Sequence, residues 1–165
     1  MSHSIPSYEE RIRNNQYPAS TDATKRLFWY IQGPLETNLF VLEDSSDPYG
    51  SRQPYAQQIR TNGISWHSVS SLPLTNPMIS SINVCCSELE EWPENWASLV
   101  HQHANPDMET CIFGEVDGRR KLINCCGEDR PKHHEPLLVT VSSQLYVTIH
   151  DYVTAVHPWL VVKRD

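Results

Sequence analysis

Glycine is scarce in this chain, six residues in 165. They never fall into Gly-x-Gly-x-x-Gly, and no Gly-Lys-Ser/Thr phosphate loop is present. A dinucleotide fold or a P-loop is therefore not expected. His-Glu-x-x-His and Gly-x-Ser-x-Gly are also missing, which removes two familiar signatures of zinc proteases and serine hydrolases. Positive charge is in deficit: 13 Lys and Arg stand against 20 Asp and Glu, a formal net charge of −7. Nucleic-acid binding needs a basic patch to neutralise phosphates. The one tight basic cluster, Arg119-Arg120-Lys121, sits at a turn, so no nucleic-acid partner is expected. No stretch approaches the roughly 20 apolar residues of a membrane span, and the first residues lack the apolar run of a secretory signal. No membrane partner is expected. Five cysteines make an odd count, and two pairs of them are adjacent. Adjacent cysteines are awkward disulfide partners, so the expectation is an intracellular protein with reduced thiols, cytoplasmic by default.

What remains is a globular composition, 39% hydrophobic and 20% charged, on a chain about one domain long. The chemistry is concentrated late. All five cysteines and six of the eight histidines fall between Cys85 and His157. Thiols and imidazoles bind transition metals and do nucleophilic or acid-base work near neutral pH. Free cysteine is also among the most buried residue types, so the same clustering fits an ordinary buried sheet.

Along the chain, residues 1–20 read as an N-terminal arm, with Ser7-x-x-Glu10 as a capping box for a short helix over 7–15. A second helix is expected over about 22–32, capped by Ser20 or Thr21 and stopped by Gly33-Pro34. Asn38–Leu42 reads as a strand. Residues 43–63 read as a long polar loop with one helical turn near 55–61, and Ile64–Val69 and Ile79–Cys86 as strands. Pro93 is expected to start a helix reaching His103. Asp117-Gly118 between Glu109–Val116 and Arg119–Cys126 is the signature of a two-residue hairpin. Leu137–Ser142 is a further strand. Thr148-x-x-Asp151 caps a final helix over 149–157, ended by Pro158, and residues 161–165 form a C-terminal tail. The fold class expected is α+β: one domain over 21–160, a mostly antiparallel sheet of four to six strands with helices packed on it.

Strand geometry constrains the cysteines. With Asp117-Gly118 as the turn, Phe113 faces Leu122, Ile112 faces Ile123, and Glu115 faces Arg120. Alternation then places Cys111, Phe113, Leu122 and Cys126 on one face, and Ile112, Ile123 and Cys125 on the other. Adjacent cysteines on an extended strand diverge, so neither Cys85-Cys86 nor Cys125-Cys126 easily holds one metal. Three readings stay open: buried sheet thiols, a metal site using one cysteine of each doublet, or a nucleophilic Cys126 near the His133-His134 loop. His133-His134-Glu135 is the best metal-like cluster in the chain, and its plain alternative is solvated loop. His101 and His103 are two apart on a helix and diverge. His150 and His157 share a helical face but stand roughly 10 Å apart, too far for one ion. Either could line a pocket beside Tyr152 and Trp159. Asp151 reads as the capping carboxylate. Five tryptophans suit pockets and interfaces, or simple core filling.

The connector Leu72-Pro-Leu-Thr-Asn-Pro77 leads into a strand, a Trp-containing segment follows at Trp92–Trp96, and the chain closes with Tyr146-Val-Thr-Ile-His-Asp-Tyr-Val-Thr-Ala-Val156. This resembles an uncharacterised family of small fungal domains, which carry Pro-x-Thr-x-Pro before a strand and end on Val-Thr-Val-x-Asp-Val-Leu-x-x-Ile. The resemblance spans about half the chain. It implies a fungal, intracellular origin and no assigned chemistry, hence no catalytic residues to carry over. His150 and Tyr152 stand where that pattern has less distinctive residues.

Two functions follow as expectations. One is a small intracellular binding or interaction module for a small molecule or a protein. The other is a cofactor-independent isomerase, lyase or cyclase using a pocket histidine as general acid-base. The candidate residues are His150, His157 and Tyr152, with Cys126 as an outside candidate, and His133 and His134 for a metal. No cofactor is expected.

Overall fold

The computed structural model describes residues 4–59, 63–101, 104–132 and 134–164. The fold is α+β, and every described strand pair is antiparallel. The described strands form five small sheets of two or three strands each rather than one sheet of four to six. Twelve prolines keep interrupting the ladders, because proline offers no N–H to a neighbouring strand. Contacts divide the chain into two compact units: Met1–Val84 with Leu137–Asp165, and Cys85–Pro136.

In the first unit Ser7 closes its capping box on α1 (Tyr8–Arg13). Its hydroxyl accepts the Glu10 N–H at 3.1 Å, and Glu10 accepts the Ser7 N–H at 2.8 Å. The N-terminal arm is anchored: Arg11 donates to the Met78 carbonyl at 2.7 Å, and β1 (Ala19–Ser20) joins a sheet. Thr21 caps α2 (Asp22–Lys25), but the helix expected over 22–32 ends there. Leu27–Trp29 is β2 instead, paired with β3 (Leu39–Leu42). Between them lies the single turn α3 (Leu35–Asn38). Pairing wins because β3 carries Leu39 and Val41, both wholly buried, and a large apolar run gains more against a sheet than its helix propensity is worth.

The expected polar loop at 43–63 contains β4 (Arg52–Pro54), which pairs with β3, and β5 (Ala56–Ile59), which pairs with β6 (Gly63–Trp66). These strands are polar because most of their side chains face out; backbone pairing and the fully buried Tyr55 between them hold them down. The strand expected over 64–69 ends at Trp66, and a 3-10 turn follows at Ser68–Ser71. Then β7 (Thr75–Asn76) pairs with β1, and β8 (Ser81–Val84) follows.

The second unit opens with α4 (Ser87–Val100), which carries Pro93 inside it rather than at its start. Glu88 and Glu90 occupy its first turn, where the helix dipole favours negative charge. β9 (Cys111–Val116) and β10 (Arg119–Cys125) form the expected hairpin. Asp117 and Gly118 both have positive φ, 53° and 70°, as a two-residue primed turn requires. Near the turn the register is as read from sequence, with Phe113 opposite Leu122. Then Ile123 bulges, and Ile112 faces Asn124 while Cys111 faces Cys125. One inserted residue swaps the sides of everything beyond it. Cys125, not Cys126, therefore joins Cys111, Leu122 and Trp96 in this unit's apolar cluster, while Ile112 is exposed. Cys126 and Gly127, φ 55° and 87°, turn the chain into β11 (Glu128–Asp129).

The chain returns to the first unit with β12 (Leu137–Thr140), paired with β8 so that Leu137 faces Val84. It ends in α5 (Ile149–Arg164). The helix runs through Pro158, past the stop expected there, and takes in most of the expected 161–165 tail. Two apolar clusters fill this unit, one around Leu39, Val41, Tyr55, Ile149 and Val153, the other around Ile79, Val139, Val147 and Val156. α5 feeds both, and Trp29 and Tyr152 pack against each.

Candidate functional site

The two histidines of α5 share a helix and little else. His157 is buried and both of its ring nitrogens are engaged. Trp29 Nε1–H donates to Nδ1 at 2.8 Å, and Nε2 meets the Gly33 carbonyl at 2.8 Å. Since a carbonyl only accepts, Nε2 is the donor to Gly33 and Nδ1 the acceptor from Trp29. The Trp29 indole stacks on the imidazole, 5.8 Å between ring centres. This is a structural histidine with no nitrogen left for substrate.

His150, at the start of the same helix, is half-buried in an aromatic setting. Its Nδ1 is 3.3 Å from the Tyr55 hydroxyl, and Trp66 lies 4.6 Å away between ring centres. His150 and Trp66 border a cleft of about 170 Å³ whose other walls carry Ser70, Ser71, Ser142 and Gln144. Burial lowers the pKa of His150, and the charge of Asp151 opposes this only in part. The imidazole is therefore neutral at pH 7. Burial pushes the Tyr55 phenol far above its ordinary range, with the Asp151 charge adding to it, so it stays protonated. Larger hollows exist, but the one of about 400 Å³ near Ile64 has, among the described residues, Glu36 as its only ionisable wall residue.

Asp151 borders the cleft but is committed elsewhere. One carboxylate oxygen accepts the Thr148 N–H at 2.9 Å and the Thr148 hydroxyl at 2.7 Å; the other accepts the Ser142 hydroxyl. Thr148 Oγ1 accepts the Asp151 N–H at 3.0 Å in return, completing the expected capping box. Burial raises the Asp151 carboxyl, but the Ser142 and Thr148 hydrogen bonds outweigh it and hold the pKa below the usual value. Both oxygens are engaged by Ser142 and Thr148, so the aspartate supports the helix rather than orienting an imidazole.

Tyr152 packs between the two apolar clusters, and burial raises its phenol pKa. The pocket expected beside Tyr152 and Trp159 is instead lined by Trp66 and serines. Tyr55 and Ser142 carry no local signal of a site, although a lone large aromatic in the polar 50–58 stretch marks Tyr55 as an anchor. Cys126 belongs to the second unit, on its exposed turn. His134 lies half-buried ahead of β12, while His133 and His103 fall outside the described residues. Among the described residues no group of three or more His, Cys, Asp and Glu is arranged to hold a metal ion, and no helix is long and apolar enough to cross a membrane.

Comparison with family models, curated proteins and solved structures finds no match to this chain.

Proposed function

We propose that this chain is a small cytoplasmic binding module that seats a small polar ligand, free or as a side chain of a partner protein, in the cleft at His150. The observation that carries this reading is the wall chemistry: two aromatic rings beside a ring of hydroxyl and amide groups. Flat apolar surface beside convergent hydrogen-bonding groups is what small-ligand sites use for affinity and orientation. The commitment of Asp151 to the α5 cap favours binding over catalysis, since a general-base histidine ordinarily leans on an orienting partner. No cofactor and no nucleic acid enter this reading.

A second reading, a cofactor-independent isomerase, lyase or cyclase, rests on one observation: His150 is neutral at pH 7, half-buried and bonded to a phenol. A neutral imidazole is a competent general base.

Ligand-observed NMR against a set of sugars, amides and aromatic acids tests both. Binding is expected in the parent chain and lost in Trp66→Ala and His150→Ala. Fragments that bind equally well to both variants would sink the cleft assignment. If a bound fragment exchanges a C–H proton with D2O, and His150→Gln stops this without weakening binding, the enzyme reading replaces the module.

A further inference from the structure

The second unit, Cys85–Pro136, is an insertion of roughly 50 residues with an apolar cluster of Trp96, Cys111, Leu122 and Cys125. Units of this size draw on a staple as well as a core. Two of the four cluster members are thiols, and a third thiol, Cys126, touches Cys125. The Sγ atoms of Cys111 and Cys125 are 3.8 Å apart, and those of Cys125 and Cys126 are also 3.8 Å apart.

Their backbone placement is that of a bondable pair. Cys111 and Cys125 are direct cross-strand partners. Cys126 N–H donates to the Thr110 carbonyl at 2.9 Å, one residue outside the pair on each strand. That ladder bond makes Cys111 and Cys125 a non-hydrogen-bonded pair, the kind whose side chains approach most closely. Such spacing lies within disulfide range. Cys111 and Cys125 are buried, while Cys126 is exposed on the turn that its positive φ creates.

We propose that Cys126, Cys125 and Cys111 form a thiol–disulfide relay, in which an oxidising equivalent taken up at exposed Cys126 ends as a cross-strand Cys111–Cys125 disulfide that locks the β9–β10 hairpin. With glutathione disulfide as oxidant, the Cys126 thiolate attacks one of its sulfurs, and one glutathione leaves with the proton. Cys125 then attacks Cys126 Sγ, forming a Cys125–Cys126 bond and releasing the second glutathione. A disulfide between neighbours in sequence is strained and exchanges readily. Cys111 attacks Cys125 Sγ, and Cys126 departs as a regenerated thiol. In sum, Cys111 and Cys125 lose two electrons and two protons, and one glutathione disulfide becomes two glutathiones.

The local electrostatics favour the last step and slow the one before it, in which Cys125 must give up its proton to attack. The Asn105 backbone N–H, with smaller help from Cys125 and Thr110, outweighs burial and lowers the Cys111 thiol pKa. Burial, with hydrogen bonding to Cys111 and Cys126, pushes Cys125 up to about 12. Thiolate character therefore collects on Cys111, the nucleophile of the last step, and the shared proton rests on Cys125.

The test uses the full chain with Cys85→Ser and Cys86→Ser, incubated with glutathione disulfide, quenched by alkylation and mapped by peptide mass spectrometry. The expected product has lost two hydrogens and links Cys111 to Cys125, with Cys126 alkylated. Cys126→Ser should slow its formation by about 10-fold, since the remaining thiols are buried. Cys111→Ser, with Cys111→Ala as a second variant and circular dichroism confirming the fold of each, should stop at a Cys125–Cys126 disulfide. Oxidation of Cys126→Ser at the parent rate overturns the relay, as does any major product pairing other cysteines. So does stoichiometric zinc in untagged protein that protects these thiols from alkylation until a chelator is added, an outcome that reassigns the cluster to metal binding.

Discussion

His157 and His150 show how one residue type acquires opposite roles seven positions apart. The partners of His157 are Trp29 and Gly33, 128 and 124 residues away in sequence. The hydroxyl partner of His150 is 95 residues away. Helical spacing correctly separates the two imidazoles but says nothing about what each one meets. Removing His157 leaves the Trp29 N–H and the Gly33 carbonyl facing a cavity. Each orphaned polar group carries its desolvation penalty on top of the lost packing. His157→Ala is therefore expected to cost about 3 kcal/mol, read as a lowered midpoint in urea unfolding with unchanged slope. A loss below about 1 kcal/mol, the worth of a single surface contact, would mean that the site is wetter than its burial indicates. His157→Gln, which keeps an acceptor and a donor, should recover part of the loss.

At the scale of elements, the features set by neighbouring residues were legible in the chain. Both capping boxes, Ser7 with Glu10 and Thr148 with Asp151, form as read, and so does the Asp117-Gly118 turn. The misread elements are those decided by a distant partner. Leu27–Trp29 leaves the helix because β3 is there to receive it, and the polar strands β4 and β5 exist only through pairing. The prolines of α4 and α5 stand inside the helices, since flanking packing offsets the hydrogen bond each one omits. The α5 cap gives a pH prediction. The Asp151 pKa is depressed in the folded chain, so its contribution is fully present above the unfolded carboxyl value of about 4 and is lost as pH falls through the folded value. Asp151→Asn should destabilise the chain by about 1 kcal/mol at pH 7. The gap from the parent should close as pH drops below about 4. Chemical-denaturation midpoints across that range decide the matter, and a gap that stays constant with pH would show that charge is not what Asp151 contributes.

At the scale of the whole molecule, the insertion is the main architectural fact. It begins after Val84 and ends before Leu137, two residues that face each other in the β8–β12 ladder. Replacing 85–136 with Asn-Gly would turn that ladder into an ordinary two-residue hairpin. The shortened chain is expected to fold, with one cooperative thermal transition and an intact Trp66–His150 contact visible in the aromatic NMR spectrum. Aggregation, or loss of near-ultraviolet circular dichroism, would show that the first unit depends on its insertion.

The sequence by itself determined the α+β class, the caps, the hairpin turn and the separation of the histidines, because hydrogen bonding and side-chain periodicity within a few residues set them. Only the tertiary structure decided that Cys125 rather than Cys126 meets Cys111. The bulge at Ile123 changes sides without a mark in the hydrophobic pattern. It also decided that His157 is locked and His150 is not, since those fates depend on Trp29, Gly33, Tyr55 and Trp66, which the chain brings to α5 from far away.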